Sequence, residues 1–286
     1  MRGGIQIVIY YLMLGLRLKG NCFNMSDLVS VVVVTYKRLE YLRQTVESIL
    51  RQSYYNLEVI VVGDGMEEDV AEYITSLNNR RINYYWVEHC GYPAKARNFG
   101  IQKALGQYIA FCDDDDLWYP DKIAKQVAIL DGCPGLLLCC SLRNTIDGKG
   151  NRIANNVNWI PKKLSLRSLL LTNYITYSSV VIRGGILNKV GFFPDTVTFK
   201  AVEDYHLWLR IVNKGDVFMI KEALVEYRIH NSNITANLFW GTKLTLLVLN
   251  DFFKNHSVSY STKMVALMVI YLKRIYYKIK YSYPLG

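Results

Sequence analysis

The apolar positions along the chain change period several times. Val29 to Val34 is a β-branched run broken only by Ser30, the pattern of a strand buried on both faces of a parallel sheet. Leu39, Leu42, Val46, Ile49 and Leu50 then recur at helical spacing. Leu57 to Val62 returns to a buried-strand pattern and stops at the turn-forming Gly63-Asp64-Gly65. The same reading predicts a helix over Val70–Leu77, a strand over Asn83–Val87, a helix over Ala94–Leu105 and a fourth strand over Tyr108–Cys112. A helix over Asp121–Leu130 follows, with Pro120 in its opening turn. Four strand–helix alternations predict an α/β fold, a doubly wound and mostly parallel sheet flanked by helices.

After Gly135 the alternation weakens. Leu136–Cys140, Val180–Arg183 and Ala223–Ile229 read as further strands and Val202–Asn213 as a helix. From Phe239 the chain is apolar and basic, which predicts a helical tail separable from the sheet. At the other end, Ile5 to Leu16 is apolar but shorter than the roughly 20 residues that span a bilayer. Arg2 precedes it as in a signal peptide, yet no A-x-A cleavage site follows. Met25 opens MSDLVSVVVVTYKR like the start of a domain. The expected organisation is therefore an extension or over-read start over 1–25, a catalytic body over 26–238 and an amphipathic basic tail over 239–286.

Ligands of a doubly wound sheet bind beyond the carboxyl ends of its strands. Thr35-Tyr36, Asp64 and Asp113 to Asp116 all follow strands directly, so they should converge on one edge. The last of these is the run FCDDDDLWYPDKI (111–123), four consecutive carboxylates between apolar residues. A solvated acidic tail has polar neighbours, whereas charges held against a core require a cation to offset their repulsion. Neither a G-x-G-x-x-G loop nor a G-x-x-x-x-G-K-[ST] loop follows the first strand. Carboxylate oxygens are the hard ligands that Mg²⁺ and Mn²⁺ prefer. A calcium-binding EF-hand loop starting at Asp113 fails, because Trp118 stands where that loop needs glycine.

Composition narrows the class. With 286 residues, 51% hydrophobic and 20% charged, the chain can bury a sizeable core. The net charge of +10 is uneven: seven Lys and Arg against one Asp after Gly241 carry +6 of it. A nucleic-acid enzyme would need a basic stripe across its body, so no nucleic-acid partner is expected. Cys22, Cys90, Cys112, Cys133, Cys139 and Cys140 lack metal-finger spacing and read as small core residues in a reducing compartment.

The segments SVVVTYKR, VVGDG, ARNFGI, IAFCDDDDLWYPDKI, VEDYHLWLR and YRIH stand in the order seen in family 2 glycosyltransferases of the GT-A fold, the inverting enzymes of bacterial surface-polysaccharide synthesis. The resemblance runs from about Ser30 to Asn233, roughly 70% of the chain. It implies that Asp115 is the metal-binding carboxylate, with Asp113 and Asp114 near ribose and metal. The four-residue run permits a shift of register, which leaves open which carboxylate touches the ion; Asp116 is either functional or a support of the loop. Thr35, Tyr36 and Arg38 match the loop that holds the uracil ring, and Asp64 the acid that reads base or ribose. Here Gly63-Asp64-Gly65-Met66 replaces the family's D-D-G-S, so one carboxylate and the serine are missing. Arg97 is similar to the arginine that approaches the nucleotide; as a lone helical arginine it would read as solvated.

Glu203 and Asp204 open a helix, where carboxylates are favoured by the dipole and capping suffices to explain them. By resemblance Asp204 is the general base and Glu203 its companion, and a direct displacement with one base gives inversion. His230, just past a strand, is similar to the histidine that reaches metal or diphosphate, and Arg228 either contacts phosphate or braces the loop. The Q-x-x-R-W element of processive synthases is absent from the sequence, which favours single-sugar transfer.

The expected activity is thus a metal-dependent transfer of one hexose or N-acetylhexosamine from a UDP-sugar, with Mn²⁺ or Mg²⁺, to a lipid diphosphate-linked saccharide of O-antigen or capsule synthesis. Lys273, Arg274, Lys278 and Lys280 interleaved with tyrosines suggest a tail on an anionic membrane surface, hence a cytoplasmic enzyme peripheral on the inner face. A helix packed on the body with a solvated basic face is the plainer alternative. Two other functions compete: a sugar nucleotidyltransferase, which would need a glycine-rich basic loop in place of TYKRLE, and an inactive membrane-bound scaffold. Neither donor sugar, acceptor nor linkage is legible.

Overall fold

The computed structural model describes residues 27–154, 164–230 and 238–282. The expected N-terminal extension, the segment around Trp159, Asn231 to Asn233 and Tyr283 lie outside the described residues.

Strand β1 (Val29–Thr35) is buried along almost its whole length, as its β-branched run requires. It sits between β2 (Leu57–Asp64) and β4 (Tyr108–Asp113), parallel to both, and β3 (Ile82–Val87) continues the parallel half beyond β2. The register pairs Thr35 with Gly63 and Val34 with Asp113. Thr35, Asp64 and Asp113 therefore end within two residue steps of each other at a single edge. Helices α1 (Leu39–Leu50), α2 (Glu68–Ser76), α3 (Pro93–Lys103) and α4 (Lys122–Gly132) are the connections. Leu42, Val46, Ile49, Ile123 and Val127 cover one face of the sheet, and Ile101 packs with Val32 and Phe111 on the other. Gly100 lets α3 lie directly on β1: a Cβ there would sit 2.6 Å from Val32 Cγ1. That approach carries Arg97, one turn earlier, to the β1–β4 edge.

The sheet runs β3-β2-β1-β4-β8-β6-β9-β5 and becomes mixed beyond β4. There β8 (Val181–Arg183) is antiparallel to β4 and to β6 (Leu136–Asp147), while β9 (Asp216–Ile229) is parallel to β6. The expected strands over Leu136–Cys140 and Ala223–Ile229 are parts of these longer ones. Polar pairs (Arg143-Asn144, Lys221-Glu222) interrupt their apolar patterns, and irregular register around Ser141–Arg143 resets the alternation. The short β5 (Leu117–Trp118) pairs antiparallel with β9, and β7 (Arg152–Ala154) with β6. Three more helices complete the body: α5 (Leu166–Leu171), α6 (Leu187–Val190) and α7 (Glu203–Val212).

The tail is helical, α8 (Leu238–Asn255) and α9 (Tyr260–Ser282), but it is docked rather than detached from the body. Leu244, Val248, Leu249, Phe252, Ala266 and Ile270 are buried in the same core as Trp208 and Phe111. Asp251 of α8 meets His206 Nε2 of α7 at 2.8 Å. The apolar residues that made the tail look like an independent piece are shared with the sheet's outer helices. No described helix is long and apolar enough to cross a membrane.

Candidate active site

The acidic run leaves β4 and turns into β5, with the Asp116 N–H donating to the Asp113 carbonyl. Three elements clamp this turn. Thr45 Oγ1 of α1 donates to the carbonyls of Asp114 and Asp116, both at 2.9 Å. Ser178 Oγ accepts from the Asp113 N–H at 3.0 Å and donates to Asp116 Oδ2 at 2.5 Å. The Arg228 N–H of β9 donates to Asp116 Oδ1 at 2.9 Å, and its Nε to the Asp115 carbonyl at 2.8 Å. Asp116 is fully buried with both oxygens engaged, so it supports the loop. Arg228, 1% exposed, also reaches Gln44 Oε1 and the Gly148 carbonyl and braces the same turn.

The other three carboxylates face basic groups. Arg38 Nη1 lies 3.2 Å from Asp114 Oδ1 and 3.0 Å from Asp115 Oδ2. His230 Nε2 approaches Asp115 Oδ2 at 2.9 Å, its ring stacked on Tyr41. Arg97 is buried over the Tyr177 ring and holds Asp113 Oδ1 at 2.7 Å with one nitrogen and Glu203 Oε1 at 2.6 Å with another. Burial, then the charge of Asp115, pushes the Asp114 carboxyl up to about 7. The same two causes raise Asp116 well above the usual carboxylate range. Burial also raises Asp113, partly offset by Arg97. Ligand oxygens of Asp113, Asp115 and Asp116 lie within 4.8 Å of one another. This hard, under-compensated donor set fits a divalent cation, and with Asp116 occupied, Asp113 and Asp115 are the oxygens left for it.

At the start of α7 the two acids differ. Glu203 is 2% exposed and gripped by Arg97. Asp204 accepts from the Tyr205 N–H at 2.6 Å and lies half-buried on the cavity wall. Burial, then the neighbouring Glu203 charge, raises the Asp204 carboxyl to about 7. The cavity measures ≈ 1070 Å³. Thr35, Tyr36, Arg38, Asp64, Arg97, Asp113, Asp114, Asp115, Glu203 and Asp204 all line it. His230 is the one expected site residue outside the lining, and it contacts Asp115 Oδ2.

Residues 30–186 match the family model described as Glycosyl transferase family 2. The chain belongs to the family 2 glycosyltransferases. An uncharacterized glycosyltransferase of Rickettsia typhi is 30% identical over 73% of this chain, and the match spans 66% of that protein's length. UDP-Glc:alpha-D-GlcNAc-diphosphoundecaprenol beta-1,3-glucosyltransferase WfaP of Escherichia coli is 31% identical over 74% of this chain and 82% of its own. A mannosyltransferase from Pyrobaculum calidifontis, solved in complex with GDP-Man and Mn²⁺, shares the fold with a TM-score of 0.67 at 17% identity, over 93% of this chain and 77% of that one. The sheet and flanking helices are those of the GT-A glycosyltransferases.

In this glycosyltransferase the residues expected to hold base and ribose also make contacts within the protein. Asp64 accepts from the Cys90 N–H at 2.9 Å and the Gly91 N–H at 3.1 Å, and His89 Nδ1 lies 2.9 Å from its Oδ2. Its carboxylate thus secures the loop between β3 and α3. His89 in turn stacks on Tyr36, ring centroids 4.3 Å apart. His89 and Ser178 are the residues that sequence reasoning missed. Ser178 sits in NYITYSS (173–179), a segment whose role the sequence does not reveal, and one serine carries no pattern. His89 lies just past the end of β3, beside the end of β2 that carries Asp64, and that strand-end position is the available signal.

Proposed function

We propose that this glycosyltransferase transfers one hexose or N-acetylhexosamine from a UDP-sugar to a lipid diphosphate-linked saccharide, with inversion, in surface-polysaccharide synthesis. The observation that carries the reading is the division of labour between adjacent acids. Glu203 is committed to Arg97, whereas Asp204 lines the cavity shared with the acidic turn. A carboxyl raised to about 7 can accept a proton near neutral pH. Asp204 removes the proton of the acceptor hydroxyl as its oxygen attacks the anomeric carbon, and the nucleoside diphosphate departs on the opposite side.

Asp113, Asp115 and His230 would hold Mn²⁺ or Mg²⁺, which when bound supplies charge neutralisation for the diphosphate leaving group. Arg97 fixes Asp113 and Glu203 relative to each other across the cavity. Thr35, Tyr36, Arg38, Asp64 and Asp114 form the nucleoside end. The activity named for the Escherichia coli relative supports a UDP-sugar donor and a diphospholipid acceptor. Mn²⁺ in the Pyrobaculum calidifontis complex supports the ion.

The test is a donor screen with Mn²⁺ or Mg²⁺ against UDP-glucose, UDP-galactose and their N-acetylated forms on a synthetic diphosphate-lipid saccharide. The expected product from an α-configured donor is β-linked, read from the anomeric proton coupling. An α-linked gluco- or galacto-product overturns the single displacement.

A further inference from the structure

Helix α9 buries one face and leaves the other without a cover in the described structure. Ala266 and Ile270 point into the core. On the opposite side Met264, Met268, Leu272, Ile275 and Ile279 are each about half exposed, and Tyr271 and Tyr276 flank them. At 100° per residue these side chains fall within one continuous stripe, roughly 22 Å long at 1.5 Å per residue. Lys278 and Lys280 are exposed at the stripe's two margins. An apolar stripe of this length on a folded surface marks an interaction site.

Charge selects the partner. Two copies of the helix meeting face to face would bring the +6 of one tail against that of another. An anionic bilayer satisfies the apolar stripe and the basic margins together, and a helix too polar to span can lie in the headgroup plane. Lys273, on the buried side, donates to the Leu171 carbonyl at 2.9 Å and to Thr172 Oγ1 at 2.5 Å. Thr172 to Tyr177 form part of the catalytic cavity wall.

We propose that α9 lies in the headgroup region of an anionic membrane with its Met264–Ile279 stripe toward the acyl chains, and that Lys273 ties this helix to the cavity wall. The membrane-lying helix is then one side chain away from the cavity wall. The inference stands without the proposed reaction, because it can be tested with neither donor nor acceptor present.

The test is flotation of the full chain with phosphatidylglycerol–phosphatidylethanolamine vesicles, alongside sedimentation velocity without lipid. The expected result is lipid binding by a monomer. Met268→Glu/Ile275→Glu should lower binding at least tenfold, and Lys278→Gln/Lys280→Gln should lower it by a similar factor at low salt, since each nearby cation adds on the order of fivefold. Both pairs are surface positions, and unchanged circular dichroism and thermal midpoint report an intact fold. Hydrogen exchange should show vesicle-dependent protection in 264–279 and at 172–176. Unchanged binding in Met268→Glu/Ile275→Glu overturns the proposal, as does protection confined to other segments. A lipid-free dimer that the same double variant dissociates would assign the stripe to a second copy instead.

Discussion

The parallel half of the sheet and the mixed half serve the same cavity by different means. In the parallel half, strand ends in register deliver Thr35, Asp64 and Asp113 to one edge, with the backbone pattern doing the positioning. In the mixed half, side chains on long, irregular strands reach across to brace what the first half presents. Arg228 of β9 grips the acidic turn from below, and Ser178, just before β8, pins it from the side. One half thus supplies charges, and the other makes their crowding tolerable. Chemistry should therefore fail when an acid facing the cavity is altered, and stability or pH response when a side chain that braces those acids is.

The largest effect is expected from Asp115→Ala. It should abolish transfer and remove the metal dependence of UDP affinity, and calorimetry with and without Mn²⁺ checks this. Unchanged metal-linked affinity would remove Asp115 from the ion's ligands. Next comes Asp204→Asn, which keeps shape and hydrogen bonding but not the proton acceptor. Turnover should fall by about 10² to 10⁴-fold while UDP binding survives. Glu203→Gln should cost less turnover, and the reverse ranking would move the base role to Glu203.

A brace behaves differently. Arg97→Met strips a buried cation from Asp113 and Glu203, and breaking such pairs costs about 3–5 kcal/mol. The exposed contact between Lys125 and Glu222 is the control, since Lys125→Ala should change stability by about 1 kcal/mol or less. Chemical denaturation of both variants measures the contrast.

The pH response probes the same acids without a mutation. The folded carboxyls of Asp114 and Asp204 sit at about 7, above the ordinary value of about 3.9 for aspartate. Between those values the folded chain binds more protons than the unfolded one. The contribution of these two groups to stability should therefore fall as pH rises from about 4 to about 7 and level off above. Turnover runs the other way, because Asp204 must be ionised: kcat/KM should drop as pH falls below about 7. Thermal midpoints and initial rates across that window, in the wild type and in Asp204→Asn, separate the two trends.

The same contrast explains what the sequence made legible. Strands β1 to β4 announce themselves through short, strongly apolar segments, and the residues at their ends can be assigned to the edge without a structure. The acidic run was conspicuous because its neighbours are apolar. Strands β6 and β9 were cut short because polar pairs break their pattern while the backbone continues. Arg97 reads as a solvated helical residue on periodicity alone, and only the close seat of Gly100 on Val32 turns it inward. The tail's apolar positions were visible, but helical period does not say what a face packs against. For α8 the partner is the catalytic body itself.

The stacked rings of Tyr36 and His89 set a condition on how a nucleoside gains entry. Their centroids are 4.3 Å apart, which leaves no gap for a third aromatic ring between them. A pyrimidine that takes the face covered by His89 must wait for that ring to swing away. The apparent dissociation constant is then the intrinsic one divided by the fraction of molecules already open. His89→Ala would raise that fraction and tighten UDP binding.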